Sequence, residues 1–360
     1  MKIAVLIGTR PEIIKMSPVI KELSNRTIDY FVIHTGQHYS YNMDKVFFEQ
    51  LKITLPDYNL EVGSDSHAKQ TAKILIGIED ILYNERPDIV LVEGDTNSVL
   101  ACALAATKIG IKVGHVEAGL RSYDKNMPEE INRILTDHCS DYLFAPTDKA
   151  KNMLLSEGIA ADKIFVTYNT IVDAVYQNLQ MAKKDGGILR TLSLTPQKYF
   201  LATVHRQENV DNKQRFEDIF ESLASIADKY NCPLIYPIHP HSLKMAEEFQ
   251  VNTRNIKLID PISYFDFLQL ESNSRLILTD SGGVQEEACI LGVPCVTLRY
   301  NTERPETIEA GSNILAGTLP ENIIDCVETM LSKDNRWDNP FGDGEAANRI
   351  IDILIRSHNG

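Results

Sequence analysis

The chain has 360 residues, a length that suits two domains, and its 43% hydrophobic and 24% charged residues are an ordinary globular composition. A net charge of −14 leaves no basic footprint for nucleic acid or an anionic membrane, though a local cluster of donors can still hold a small anion. No apolar stretch reaches the roughly 18 residues of a membrane span, the six-residue apolar run of MKIAVLIGTRPEIIKM is too short for a signal peptide, and Cys102, Cys139, Cys232, Cys289, Cys295 and Cys326 form no CxxC pair, so a reducing, cytoplasmic setting is expected.

In chain order, short apolar runs alternate with segments of helical period. A strand is predicted at 3–7, followed by GTRPEIIK (8–15) and a helix from about 11 to 23. Gly8 permits the tight turn and Pro11 suits a first helical turn, but the loop is not the GxGxxG of a dinucleotide site. No cofactor is therefore expected. Arg10 and Lys15 bring two cations to the strand end. A strand at 31–33 and helices near 43–51 and 67–83 come next, then a strand at 89–92 ending in EGDTNS (93–98). Asp95 and Thr96 sit at the start of a helix over 97–108, where capping competes with a catalytic role. A strand at 113–116 runs into HVEAGLRS (115–122), which places Glu117 at a strand end before small residues. MPEEINR (127–133) opens a helix over 129–138, with Glu129 and Arg133 four apart on one face. Strands at 142–145 and 164–167, with a helix at 147–156, complete this half.

The polar, Gly- and Pro-containing stretch KKDGGILRTLSLTPQ marks a boundary. The N-terminal domain is placed at 1–182, the linker at 183–196 and the C-terminal domain at 197–344, with a helix over 345–360. The second half predicts strands at 199–204, 233–238, 256–259, 276–279 and 295–298, with helices at 213–229, 241–249, 263–271, 283–291 and 320–331. Alternating strands and helices mean βαβ units. The fold class is α/β: two Rossmann-like, doubly wound parallel-sheet domains with a cleft between them. Ligands of such sheets bind beyond the carboxyl ends of the strands.

The strand-end loops of the second half carry different chemistry. His205 and Arg206 follow one strand, and His239 follows another. The HxH of 239–241 has Pro240 between its histidines and no evident third ligand, so no metal is expected. In TDSGGVQEEA, Ser281, Gly282 and Gly283 suit a phosphate approaching a helix N-terminus, and Glu287 lies one turn further in, where it can accept from ribose hydroxyls. Phe267 can face a pyrimidine, and Arg304 in TERPE can balance phosphate charge. The residues thus describe a nucleoside diphosphate held by one half, and a sugar-like group held among Asp95, Glu117 and Glu129 by the other. Several carboxylates are what proton transfer needs.

GTRPEIIK, EGDTNS, HVEAGLRS, MPEEINR, TVHRQEN, LTDSGGVQEEA and TERPE, in this order, resemble the non-hydrolysing UDP-N-acetylglucosamine 2-epimerases. The resemblance extends to GDGEAANRI at 342–350, and HTGQHYSYNMD with NMPEEINR is most similar to archaeal members. It implies a glycosyltransferase-B-like fold whose 345–360 helix crosses back to the first domain. It implies a homodimer, and reversible inversion at sugar C2 between UDP-GlcNAc and UDP-ManNAc through loss of UDP to a glycal and its re-addition. The implied UDP contacts are Arg10, His205, Phe267, Ser281, Gly282, Gly283, Glu287 and Arg304, with the main chain near Ile262 touching uracil. Lys15, Asp95, Glu117 and Glu129 are implied on the sugar side. Many bacterial members carry a second, activating site with a Gln pair near a QH motif. Here Gln37 and His38 are present, YSYNM lacks the second Gln, and Lys73 stands where those members tend to have Arg, which places such activation in doubt.

Four other readings share this pattern. A UDP-2,3-diacetamido-glucuronate 2-epimerase shares part of the motif set. A glycosyltransferase of the same architecture would need an acceptor groove. A nucleotide-sugar sensor would bind without proton exchange, and a hydrolysing epimerase would release free ManNAc.

Overall fold

The computed structural model describes residues 1–36, 47–185, 187–334 and 336–359, without the side chains of 183–185 and 359. Gln37 and His38 lie outside the described residues. The chain divides into two compact units, Met1–Ala174 with Phe341–Gly360, and Val175–Pro340. The helix Thr170–Asp185 runs across the division, and the 183–196 stretch contains a short helix, Ile188–Thr191.

Among the described residues the first unit is built on seven parallel strands: Lys2–Ile7 (β1), Asp29–His34 (β2), Tyr58–Asn59 (β3), Ile89–Glu93 (β4), Lys112–Val116 (β5), Tyr142–Ala145 (β6) and Ile164–Val166 (β7). Their order is β3-β2-β1-β4-β5-β6-β7. The second unit has six: Phe200–Thr203 (β8), Leu234–Pro237 (β9), Ile256–Ile259 (β10), Leu276–Thr279 (β11), Cys295–Thr297 (β12) and Asn313–Leu315 (β13), in the order β10-β9-β8-β11-β12-β13. Neighbouring strands pair in parallel throughout both sheets. Helices therefore cover both faces, and the inner strands are apolar on both sides: Ile3–Ile7 and Leu276–Leu278 are fully buried.

Each order reverses direction once, between β1 and β4 in the first sheet and between β8 and β11 in the second. The helices on either side of such a reversal leave opposite faces of the sheet, which opens a crevice at the strand ends. Lys15, Glu93 and Asp95 follow or end β1 and β4. His205, Asp280 and Ser281 follow β8 and β11.

The helix Ala346–Asn359 belongs to the first unit. Ile350, Ile351 and Leu354 are buried, and Arg26 donates to Asp352 at 2.5 Å and to Asn348 at 3.2 Å. Asp173 caps its start, accepting from the amides of Ala346 at 3.2 Å and Ala347 at 2.9 Å. Among the described residues, no helix is long and apolar enough to cross a membrane, and all six cysteines are free.

The long helix Thr170–Asp185 and the short edge strand β13 are among the elements not expected from the sequence. The helix opens with Thr170, Ile171 and Val172, which favour strand, but Asn169 Oδ1 accepts the Ile171 amide at 3.1 Å and starts the turn. Strand β13 is three residues long at a sheet edge, too short for a period to show.

Candidate active site

In the first unit the turn after β1 is fixed by Glu12. Its Oε2 accepts from the Gly8 amide at 2.5 Å and the Thr9 amide at 3.3 Å, closing a capping box with Thr9. Glu12 is buried, and burial pushes its carboxyl up to about 7 against opposing hydrogen bonds from Thr96, Gly8 and Thr9. One turn further, Lys15 Nζ reaches Glu93 Oε1 at 3.1 Å and pairs with Glu117 Oε2. Asn169 Nδ2 also donates to Glu117 Oε2, at 3.2 Å.

Glu117 is held in the left-handed region, with φ +69°. That conformation costs a residue with a Cβ on the order of 1 kcal/mol, so the surroundings must impose it. They do so through Asp137, which is fully buried. Its Oδ1 lies 2.7 Å from His115 Nδ1, and its Oδ2 takes the Gly119 amide at 3.2 Å and Arg121 at 2.7 Å. His115 Nε2 meets the Gly94 carbonyl at 2.8 Å, tying the turn after β5 to the turn after β4. Gly119 has no alternative, because a Cβ there would lie 2.5 Å from the Ala150 carbonyl.

Asp95 belongs to a second pair. Arg133 donates to Asp95 Oδ2 through Nε and Nη2, and to Glu130 Oε2 through Nη1 at 2.8 Å. Asn132 holds the Asp95 carbonyl at 2.9 Å. Glu130 in turn accepts from Ser122 N, Ser122 Oγ and Tyr123 N at 2.9–3.0 Å. Burial would raise its carboxyl, but these donors and Arg133 hold it below the ordinary range. Arg133 thus spans two carboxylates. Glu129 is half-buried, and its side chain makes no hydrogen bond or ion pair among the described residues. Arg10 lies over the Phe47 ring at 5.6 Å. Lys73 pairs with Asp65 at 2.8 Å on an exposed helix face.

In the second unit the strand-end loops enclose a largely apolar cavity of about 290 Å³. His205, Pro237, His239, Pro261, Ile262, Phe267, Ser281 and Val284 are among its lining residues. Asp280, fully buried, organises one wall. It accepts from the amides of His205 at 3.1 Å and Arg206 at 3.0 Å and from Asn209 Nδ2 at 3.0 Å, and it meets His205 Nδ1 at 3.1 Å. Burial works against its charge, but His205 and the backbone donors bring it below the ordinary carboxylate range. With Nδ1 turned to Asp280, the second ring nitrogen of the half-exposed His205 is the one left for a ligand.

Ser281 caps the helix Gly282–Leu291, and its Oγ accepts the Val284 amide at 3.5 Å. The amides of Gly282 and Gly283, in the first turn, have no intrahelical acceptor. A Cβ on Gly283 would meet nothing within 4 Å, and one on Gly282 only Glu303 Oε2 at 3.7 Å. Packing does not demand either glycine, so the open space above them is available to a ligand. Glu287 is buried and accepts from Tyr264 OH at 2.9 Å. Glu271 is fully buried, and burial together with the charge of Glu287 pushes it well above the ordinary range. Arg304 pairs with Glu286 at 2.7 Å and does not line the cavity. Among the described residues no cluster of three metal-ligating side chains is present.

The structure therefore groups Lys15 with Glu117, Asp95 with Arg133, and His205, Ile262, Phe267 and Ser281 around one cavity. Sequence reasoning missed Glu12, Glu93, Asp280 and Glu271. For Glu93 and Asp280 a signal existed: each is the first acid at the end of an apolar strand, as Glu117 is.

The sequence pattern of the family described as UDP-N-acetylglucosamine 2-epimerase matches residues 21–355. A UDP-N-acetylglucosamine 2-epimerase of Methanococcus maripaludis is 56% identical, across 98% of this chain and 98% of that protein. A UDP-2,3-diacetamido-2,3-dideoxy-D-glucuronate 2-epimerase of Pseudomonas aeruginosa is 41% identical, across 99% of this chain and all of that protein. The crystal structure of Methanocaldococcus jannaschii UDP-GlcNAc 2-epimerase in complex with UDP-GlcNAc and UDP superposes with a TM-score of 0.89 at 56% identity, covering 99% of this chain and 100% of that one. With the pattern and both sheets matched nearly end to end, the chain belongs to the UDP-N-acetylglucosamine 2-epimerase family.

Proposed function

We propose that this chain is a non-hydrolysing UDP-GlcNAc 2-epimerase that interconverts UDP-GlcNAc and UDP-ManNAc. The observation that carries the reading is the near full-length match to an enzyme of that name crystallised with UDP-GlcNAc and UDP. The 56% identity to the Methanococcus maripaludis UDP-GlcNAc 2-epimerase, against 41% to the diacetamido-uronate enzyme, favours the N-acetylglucosamine substrate.

The chemistry follows from the sugar. C2–H has no neighbouring carbonyl and is not acidic. When the C1–O bond breaks, its electron pair leaves with UDP and positive charge develops at C1. The C2 proton then becomes acidic, a carboxylate removes it, and a C1=C2 double bond forms. Return of a proton to the opposite face and of UDP to C1 gives the epimer. The residue assignments belong to this proposal. Glu117, held by Lys15 and Asn169, takes the role of base, and Asp95 and Glu129 are candidates for the second face. His205, Arg10 and the Gly282–Gly283 amides stabilise departing UDP, with Arg304 balancing its charge. Ile262 and Phe267 receive the uracil and Glu287 the ribose. A homodimer in the cytoplasm, with residues 1–182 serving the sugar and 197–344 the nucleotide, completes the reading.

The test is proton NMR of UDP-GlcNAc with the protein in D2O. Growth of UDP-ManNAc with deuterium at C2 and no free ManNAc is the expected result. Free ManNAc would replace the reading with a hydrolysing epimerase. No exchange, with turnover of the diacetamido-uronate nucleotide instead, would move it to that substrate.

A further inference from the structure

Lys15 serves two carboxylates with one charge. Its Nζ lies 3.1 Å from Glu93 Oε1 and is paired with Glu117 Oε2. The three side chains are 12%, 2% and 6% exposed, so little water reaches the cluster. Among the described residues Lys15 is the one cation paired with Glu93. Among the described residues the charged groups facing Glu93 are Lys15 and Glu12 from the helix Arg10–Asn25, and Glu117 from the turn after β5. The adjoining Gly94 carbonyl is occupied by His115. The two carboxylates are not equivalent, because Glu117 also takes a hydrogen bond from Asn169 Nδ2. A buried carboxylate with more donors is the one that stays ionised.

We propose that Glu93 is a positioning residue for the C2 chemistry, a neutral carboxylic acid whose carbonyl oxygen holds Lys15 against Glu117 and leaves Glu117 the anion of the pair. The inference rests on the reading of Glu117 as the base. Burial raises Glu93 well above the ordinary carboxylate range, with Lys15 opposing and Glu117 and Glu12 adding to the rise. A proton kept on Glu93 leaves Glu117 as the anion of the two that pairs with Lys15. Once Glu93 ionises at high pH, two anions divide one ammonium, Lys15 is drawn from Glu117, and turnover falls.

Glu93→Gln and Glu93→Leu separate these functions. Gln keeps an uncharged carbonyl acceptor, whereas Leu keeps volume alone. C2 deuterium exchange with UDP-GlcNAc is followed from about pH 6 to 9 for wild type and both variants, with folding checked by circular dichroism. Glu93→Gln is expected to hold kcat within about threefold at neutral pH and to lose the alkaline decline of the wild type, while Glu93→Leu loses about 30-fold in kcat with KM within about threefold. A Glu93→Leu enzyme with wild-type kcat and pH profile overturns the proposal, as does a Glu93→Gln enzyme as impaired as Glu93→Leu, since Glu93 would then act as an anion. If Glu93→Leu does not fold, an unchanged alkaline limb in Glu93→Gln overturns it alone. A wild type that exchanges nothing at C2 removes the epimerase reading and this proposal together, whereas wild-type exchange with an unaltered variant removes only the latter.

Discussion

Glu117 and Glu12 are both buried glutamates near the end of β1 and β5, yet their surroundings ask opposite things of them. Glu117 meets an ammonium and a side-chain amide donor, contacts that favour its ionised form, as the proposed role of base requires. Replacement by Gln is expected to lower kcat by about 10³-fold while UDP affinity, read by calorimetry, stays within about threefold. Loss of UDP binding in a folded variant would contradict the assignment. Glu12 is instead favoured as the neutral acid, at about 7 against an ordinary 4.5. Between those values the folded chain binds the proton that the unfolded chain has released, so stability falls as pH rises through this window. Glu12→Gln is expected to remove that fall. Its Tm should gain on the wild type between pH 5 and pH 8, by at most about 3 kcal/mol in stability. A constant difference across that range would place the raised carboxyl elsewhere. Glu117 was legible because it stands alone at the end of HVEA. Glu12 was not, since an acid after Pro11 in a first helical turn reads as an ordinary dipole complement.

The helix Gly282–Leu291 separates what folding needs from what binding needs. Its cap, Ser281, and the Gln285 side chain, which donates to the Ser281 carbonyl at 3.2 Å and accepts from Thr302 at 2.6 Å, already fix the loop. Gly283 contributes no turn and no close approach within the protein. Gly283→Ala should therefore leave Tm unchanged or raise it, by up to about 1 kcal/mol of helix propensity. If a phosphate sits on these amides, the same methyl should weaken UDP binding by about tenfold or more. Undiminished binding, measured by calorimetry, would move the phosphate away from this helix end. The motif was readable as Ser-Gly-Gly before a helix. Asp280, which supports His205, stands at a strand end as Glu117 does, but the Ser-Gly-Gly that follows it carries the more familiar phosphate signal and drew the reading past it. The helix Thr170–Asp185 was hidden for another reason: β-branched residues at its start obey local strand preference, and the Asn169 turn overrides it.

At the scale of the molecule, alternating apolar runs were enough to read two parallel-sheet units, since strands buried on both faces are nearly continuous in sequence. What no periodicity conveys is that Met1–Ala174 is completed by Phe341–Gly360. Removing residues 341–360 exposes the ground beneath Ile350, Ile351 and Leu354, each worth roughly 2 kcal/mol of burial. Hydrogen exchange by mass spectrometry should then show protection lost through 1–174 and kept through 175–340. Equal loss in both would mean the units are not independent.

That discontinuity sets an order of assembly during synthesis. The first 174 residues leave the ribosome before any of the second unit, yet the helix that seals their sheet is made only after residues 175–340. Through that interval the ground beneath Ile350, Ile351 and Leu354 lacks its cover, so the first unit cannot complete its packing until the last residues have been made.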